Sequence, residues 1–189
     1  MLYDLIKRNR SYRRFHENHV VDTKMLAELI ECARLAPSGR NLQPLRYILI
    51  NDPMKNALVF SRLKWAGYLP EWGGPKEGER PSAYIIMLGD TTVSKGFDTD
   101  IGIAAQTILL AAVEKDLGGC MIASAERDKL RVDLAIPERY DICLVIALGK
   151  PKELVVVEEI KPEDSIKYWR EDNGTHHVPK RKLDDIIIK

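Results

Sequence analysis

Five cations fall within eight positions near the start of the chain: Lys7, Arg8, Arg10, Arg13 and Arg14, in and just before the run RNRSYRRF. The whole chain balances 29 Lys+Arg against 28 Asp+Glu, so the cluster is local and cannot reflect a generally basic protein. Arginine presents a planar fork that matches a phosphate in bidentate geometry, and Ser11 adds a hydroxyl donor. Arg10 and Arg13 share a face if a helix runs through them; otherwise they straddle one side of a turn. A second cluster, APSGRNLQPLRY, spans 36–47. Its Asn41 and Gln43 amides each offer a donor and an acceptor, which suits the edge of a flat heterocycle. Taken singly, the first cluster reads equally as a solvated basic face and the second as a helix-to-strand turn. Taken together they suggest a phosphorylated, hydrogen-bonding heterocycle, that is, a nucleotide-like cofactor.

Other chemistries lack their motifs. G-x-G-x-x-G, G-x-x-x-x-G-K-[ST] and G-x-S-x-G are all absent, which removes the sequence case for a Rossmann site, a P-loop and a nucleophile elbow. The histidines of HENH (16–19) fall in an expected loop without a third ligand, so they read as solvated rather than metal-binding. Cys32, Cys120 and Cys143 are odd in number and show no C-x-x-C spacing; they read as small buried hydrophobes in a reducing compartment. Asp98 and Asp100 suit the positive end of a helix, and no carboxylate pair stands out for acid–base work. The net charge of +1 gives no whole-protein argument for nucleic acid or membrane. The first residues lack a signal-peptide core, and the apolar stretch 101–113 is too short to span a bilayer, so the expectation is a soluble cytoplasmic protein.

These clusters need elements to hold them. Leu2, Leu5 and Ile6 predict a short first helix. Asp22 caps a second, with Met25, Leu26, Leu29, Ile30 and Ala33 as its apolar stripe, ending before Pro37. Asp52 and Pro53 open a third. The longest helical pattern follows Asp98 or Thr99 as cap and closes on Gly118 as its left-handed residue. A short helix is expected from about 124 to 134. Strands are expected at 46–50, 83–89, 119–123 and 140–149. Residues 151–189 are charged and carry little core of their own, so they are expected to lie across another surface, such as a second subunit. The pattern fits α/β or α+β with a modest sheet between helices, and leaves the strand order open.

Four stretches, in order, make the chain resemble the nitroreductase family of FMN-dependent oxidoreductases: NRSYRRF (9–15), ARLAPSGRNLQPLRYILI (33–50), DIGIAAQTILLAAVEKDLGGCMIAS (100–124), and VIALGKPKE (145–153) with VPKRKLDDII (178–187). The resemblance implies an α+β fold with a mostly antiparallel central sheet flanked by helices. It also implies a long central dimer helix and a single domain over 1–189 whose C-terminal arm (150–189) wraps a partner subunit. It implies a homodimer with one FMN at each end of the interface. Arg10, Ser11, Tyr12 and Arg13 would hold the phosphate and ribityl end, joined by Lys180 or Arg181. Pro37, Ser38 and Asn41 would come from the other subunit and contact the flavin, with Gln43 nearby, and backbone groups around Ile122 to Ser124 would lie along the ring. Asn9 and Leu45 depart from the family's usual Arg and Trp.

The activity implied is transfer of electrons from NAD(P)H, by way of flavin N5, to a nitroaromatic, quinone or similar acceptor in ping-pong fashion. The contrasting reading is a flavin-binding protein with little turnover. Trp65, Tyr68 and Trp72, between Gly and Pro hinges, are expected to form a lid over the acceptor; the contrasting reading is that the rings cover the core beneath a long loop.

Overall fold

A computed structural model describes residues 1–188. Its centre is a four-stranded antiparallel sheet in the order β1-β2-β4-β3, with β1 Leu45–Ile50, β2 Ala83–Asp90, β3 Gly118–Ile122 and β4 Tyr140–Gly149. This resolves the open choice as α+β, with helices on both faces. Strand β2 is buried along its whole length. Because side chains alternate across a strand, Ala83, Ile85 and Met87 face one core and Tyr84, Ile86 and Leu88 the other. The first core is closed by α2 (Thr23–Arg34) and α4 (Asp98–Glu114), the second by α3 (Pro53–Ser61) and α5 (Arg127–Asp133).

The expected caps of α2 and α3 form: Asp22 accepts from the Met25 N–H and Asp52 from the Lys55 N–H. The end of α4 differs from expectation. The left-handed residue is Asp116 (φ 55°), and Gly118 instead opens β3. Gly118 serves a different need, since a Cβ there would sit 2.5 Å from the Tyr12 ring. At Gly119 a Cβ would meet the Ala147 carbonyl at 2.5 Å. The start of α4 has no side-chain cap; Phe97 stands at that position.

The first helix, α1 (Leu2–Arg8), stops before the arginine run is complete. Residues 9–15 then run extended beside β3: Ser11 bridges Gly119, and the Tyr12 N–H donates to the Gly119 carbonyl at 3.0 Å. Phe15, fully buried, anchors the far end.

Past Pro151 the chain has more order of its own than its charged composition predicts. Strands β5 (Val155–Ile160), β6 (Trp169–Arg170) and β7 (His176–Arg181) form a second sheet in the order β5-β7-β6. It packs against the arginine run through a fully buried His176 and through Glu153, and a stacked Trp169–His177 pair (4.0 Å, 7°) braces it on the other side of β7. Leu183, Ile186, Ile187 and Ile188 beyond it are exposed. Lys189, the last residue of the expected arm, lies outside the described residues.

Candidate functional site

The five cations have different partners. Lys7 lies over the Tyr3 ring at 4.4 Å, and Arg8 pairs with Asp116 at 2.8 Å on the surface. Arg14 pairs with the buried Glu79 at 3.1 Å. Arg10 and Arg13 make no ion pair among the described residues. Arg10 donates to the Ile6 carbonyl at 2.8 Å and keeps a buried Nε without a partner. Arg13 donates to the Ser11 carbonyl at 3.2 Å and lies 4.8 Å over the Tyr168 ring. Two guanidinium groups are therefore left for an outside anion.

Both line one cavity of about 250 Å³, walled by Asn9, Arg10, Ser11, Arg13, Tyr168, His176, Val178 and Lys180. Its walls include no carboxylate. Residues 176, 178 and 180 reach it together because alternate residues of β7 share a face. The same alternation turns Arg181 away, and its guanidinium donates to the Pro162 carbonyl at 3.2 Å. Of the two basic residues expected from the arm, Lys180 reaches the cavity and Arg181 does not. Tyr12 also lies outside it, with its hydroxyl donating to the Arg8 carbonyl at 2.9 Å.

The bend that presents these arginines is fixed by Glu153, whose side chain is almost fully buried. It accepts the backbone N–H of Arg13 in a short contact and that of Arg14 at 3.2 Å, and it pairs with Arg170 at 3.0 Å. His176 accepts from the Arg13 guanidinium through Nε2 at 3.3 Å if it is neutral. Burial, then the charges of Arg13 and Arg170, lower its pKa to about 4, so it is neutral at pH 7. Its proton then sits on Nδ1, a buried donor without a partner beside the cavity. A carboxylate-free cavity with leftover donors is the chemistry a phosphate requires.

Arg13 and Tyr168 also line a second cavity of about 160 Å³, together with Lys64 to Gly67 and Cys120 to Ser124. The two cavities thus share a wall. Ile122 and Ser124 lie in the second, beside the edge of β3. Tyr168 stands at the divide and touches both His176 (5.2 Å) and Tyr68 (5.0 Å) ring to ring. Cys120 is buried here and its thiol is pushed up by burial, which leaves it inert at neutral pH. The expected three-aromatic lid is not what forms. Trp65 belongs to the core, Trp72 packs edge-on against it at 6.5 Å, and only Tyr68 is exposed. The reason is area: two indoles gain more from covering the second core than from facing water.

Pro37, Ser38 and Gln43 lie elsewhere, around a cavity of about 290 Å³ between α2, β1 and the start of α4. Asn41 is exposed beside it. Asp100 organises this turn. It accepts from the Ser38 hydroxyl at 2.6 Å and the Gly39 N–H at 2.9 Å, while the Gln43 N–H donates to Ser38 Oγ at 2.9 Å. Arg40, Asn41 and Gln43 all hold positive φ (52°, 56° and 51°), a strained set that a fixed carboxylate can stabilise. Asp100, expected only to complement the helix end, thus also clamps the turn.

Glu153, His176 and Tyr168 carried no signal as site residues in the sequence. Nothing in their spacing points to the arginine run, which lies more than a hundred residues away. Among the described residues no group of three or more His, Cys, Asp or Glu could hold a metal, and no helix is long and apolar enough to cross a membrane.

The sequence profile of the Nitroreductase family matches residues 6–66 and 81–150. A candidate NADH dehydrogenase/NAD(P)H nitroreductase of Archaeoglobus fulgidus is 29% identical over 162 residues, covering 79% of this chain and 84% of its own. The solved FMN-dependent nitroreductase of Clostridium difficile R20291 superposes with a TM-score of 0.63 at 25% identity, over 78% of this chain and 86% of its own. A nitroreductase family protein of Streptococcus pneumoniae TIGR4 covers 100% of both chains with a TM-score of 0.69; at 19% identity it speaks for the fold alone.

Proposed function

This chain belongs to the nitroreductase family, and we propose that it is an FMN-dependent oxidoreductase moving electrons from NAD(P)H to a small acceptor such as a quinone or nitroaromatic. The observation that carries this reading is the pair of adjoining cavities. One is walled by Arg10, Arg13 and Lys180 without a carboxylate, and the other runs along Cys120 to Ser124. They suit the two ends of a flavin mononucleotide. The names of similar proteins, one an NADH dehydrogenase/NAD(P)H nitroreductase and one an FMN-dependent nitroreductase, support it.

When bound, FMN supplies the redox chemistry, taking a hydride from NAD(P)H and passing electrons on to the acceptor. The chain's part is binding and orientation. Arg10 and Arg13 offer planar forks to the phosphate, and Lys180 adds a point charge. The Ser11 hydroxyl and the His176 Nδ1–H are further donors. Ile122 and Ser124 line the slot for the ring, and Tyr68 with Tyr168 stands at its rim.

Pro37, Ser38, Asn41 and Gln43 reach the flavin from a second copy of the chain. The Ser38 hydroxyl is already committed to Asp100, so Asn41 and Gln43 are the side chains with capacity to spare. Exposed apolar surface supports the dimer. Leu2 and Tyr3 of α1 are well exposed, Ile103 and Leu110 of α4 are partly exposed, and Leu183 to Ile188 lie open. A second copy would cover them, with the arm beyond β7 lying across it.

The test is direct. Protein reconstituted with FMN should be yellow, bleach with NADH or NADPH, and regain colour on adding a quinone or a nitroaromatic. Yellow protein that neither donor bleaches would make it a flavin binder with little turnover. Protein that takes up no FMN would end both readings.

A further inference from the structure

We propose a second binding site, remote from the arginine run, for a small hydroxycarboxylate. It is a cavity of about 180 Å³ between α3, the start of β2 and the loop at 17–21. Four buried side-chain atoms without partners line it: Asn56 Oδ1, Arg80 Nε, Ser82 Oγ and the Tyr84 hydroxyl. Buried polar groups in folded proteins are nearly always hydrogen-bonded, so four orphans around one void call for an occupant.

The sequence places three of them by alternation. Arg80, Ser82 and Tyr84 lead into and along β2 at every second residue and so share a face. Asn56 meets them from α3, where its Nδ2 donates to the Ser82 carbonyl at 2.7 Å. That bond fixes which amide atom is the oxygen and leaves Oδ1 as a free acceptor. Tyr84 is 1% exposed, and burial raises its pKa, so it is a neutral O–H donor.

Arg80 points to an anion. It makes no ion pair among the described residues, and its guanidinium lies over the Phe60 ring, 4.6 Å from the centroid. Glu17 also lines the cavity, and one oxygen of its carboxylate accepts from the backbone N–H groups of Gly78 and Arg80. His19 and Asn51, whose Nδ2 donates to the Val21 carbonyl at 3.2 Å, complete the polar wall, and Val20, Val21, Pro53, Ala57 and Pro81 the apolar one. The four orphaned groups therefore comprise three donors, one of them cationic, and one acceptor. A carboxylate accepts from Arg80, Tyr84 and Ser82, and a hydroxyl on the adjacent carbon donates to Asn56. The volume limits the ligand to a few heavy atoms, below the usual size of about 300 Å³ or more for drug-like ligands.

The probe is sodium glycolate, titrated into FMN-loaded protein by calorimetry, with sodium chloride at equal ionic strength as control. Saturable binding of glycolate, absent for chloride, is expected. Tyr84→Phe removes only a hydroxyl that has no protein partner, so the unliganded variant should be as stable as the parent or more so. It should nonetheless bind glycolate about tenfold more weakly. Arg80→Gln should lose more. The proposal is overturned if glycolate shows no saturable binding, if both variants bind it as the parent does, or if crystals grown with glycolate show the four atoms bridged by water only.

Discussion

The arginine cavity and the Ser38 turn are both polar, and the resemblance assigns both to one cofactor, yet they spend their hydrogen bonds in opposite ways. Around Ser38 the donors of the turn itself, the Ser38 hydroxyl and the Gly39 N–H, are used inside the chain and converge on Asp100. Around Arg13 donors are left over: a second guanidinium, the buried Arg10 Nε and the His176 Nδ1–H. The first region is a finished structural device that supports a strained turn. The second is complete only with something negative inside it. Substitutions should therefore separate stability from binding.

The largest effect on folding should come from Asp100→Ala. It strands the Ser38 hydroxyl and the Gly39 N–H and frees three left-handed residues, at a cost of about 3 kcal/mol. Denaturant melts measure this; a loss under about 1 kcal/mol would mean that the turn holds itself. FMN affinity comes next. Arg13→Ala should weaken it about 100-fold and Arg10→Ala about tenfold or more, each removing charge-assisted bonds. Neither should cost much stability in the free protein, because neither arginine has a carboxylate partner. Fluorescence quenching of FMN gives the affinities.

A pH series sharpens the same contrast. His176 titrates near 4 when folded against an ordinary value of 6.5. Between those values the unfolded chain binds more protons, so stability rises with pH across that window. As pH falls from about 6.5 to about 4 the parent should lose up to about 3 kcal/mol that His176→Gln does not lose. Parallel curves for the two proteins would contradict the buried, neutral assignment. The smallest effect is Arg13→Lys, which keeps the charge but not the fork and should weaken FMN binding by about threefold to tenfold.

Much of the frame was legible in the sequence, for local reasons. Asp22 and Asp52 announce helix starts through a bond to a residue three places on, and the apolar runs of β2 and β4 announce strands buried on both faces. The arginine run could be flagged, but not which arginines were free. That depended on Asp116 and Glu79, both distant in sequence. Gly118 was misread because a glycine after a helix usually ends it, whereas here it makes room for Tyr12. The small second sheet escaped notice because its strands are short, charged and interrupted by loops. Its apolar content alone does not predict that it would bury His176.

The central claim is that Arg10, Arg13 and Lys180 grip the phosphate of a flavin mononucleotide. Comparing FMN with riboflavin, which lacks the phosphate, in the parent and in the Arg10→Ala/Arg13→Ala double variant tests it most directly. The parent should bind FMN at least about 100-fold tighter than riboflavin, and the double variant should bind the two about equally. A double variant that keeps the parent's preference for FMN would contradict the account.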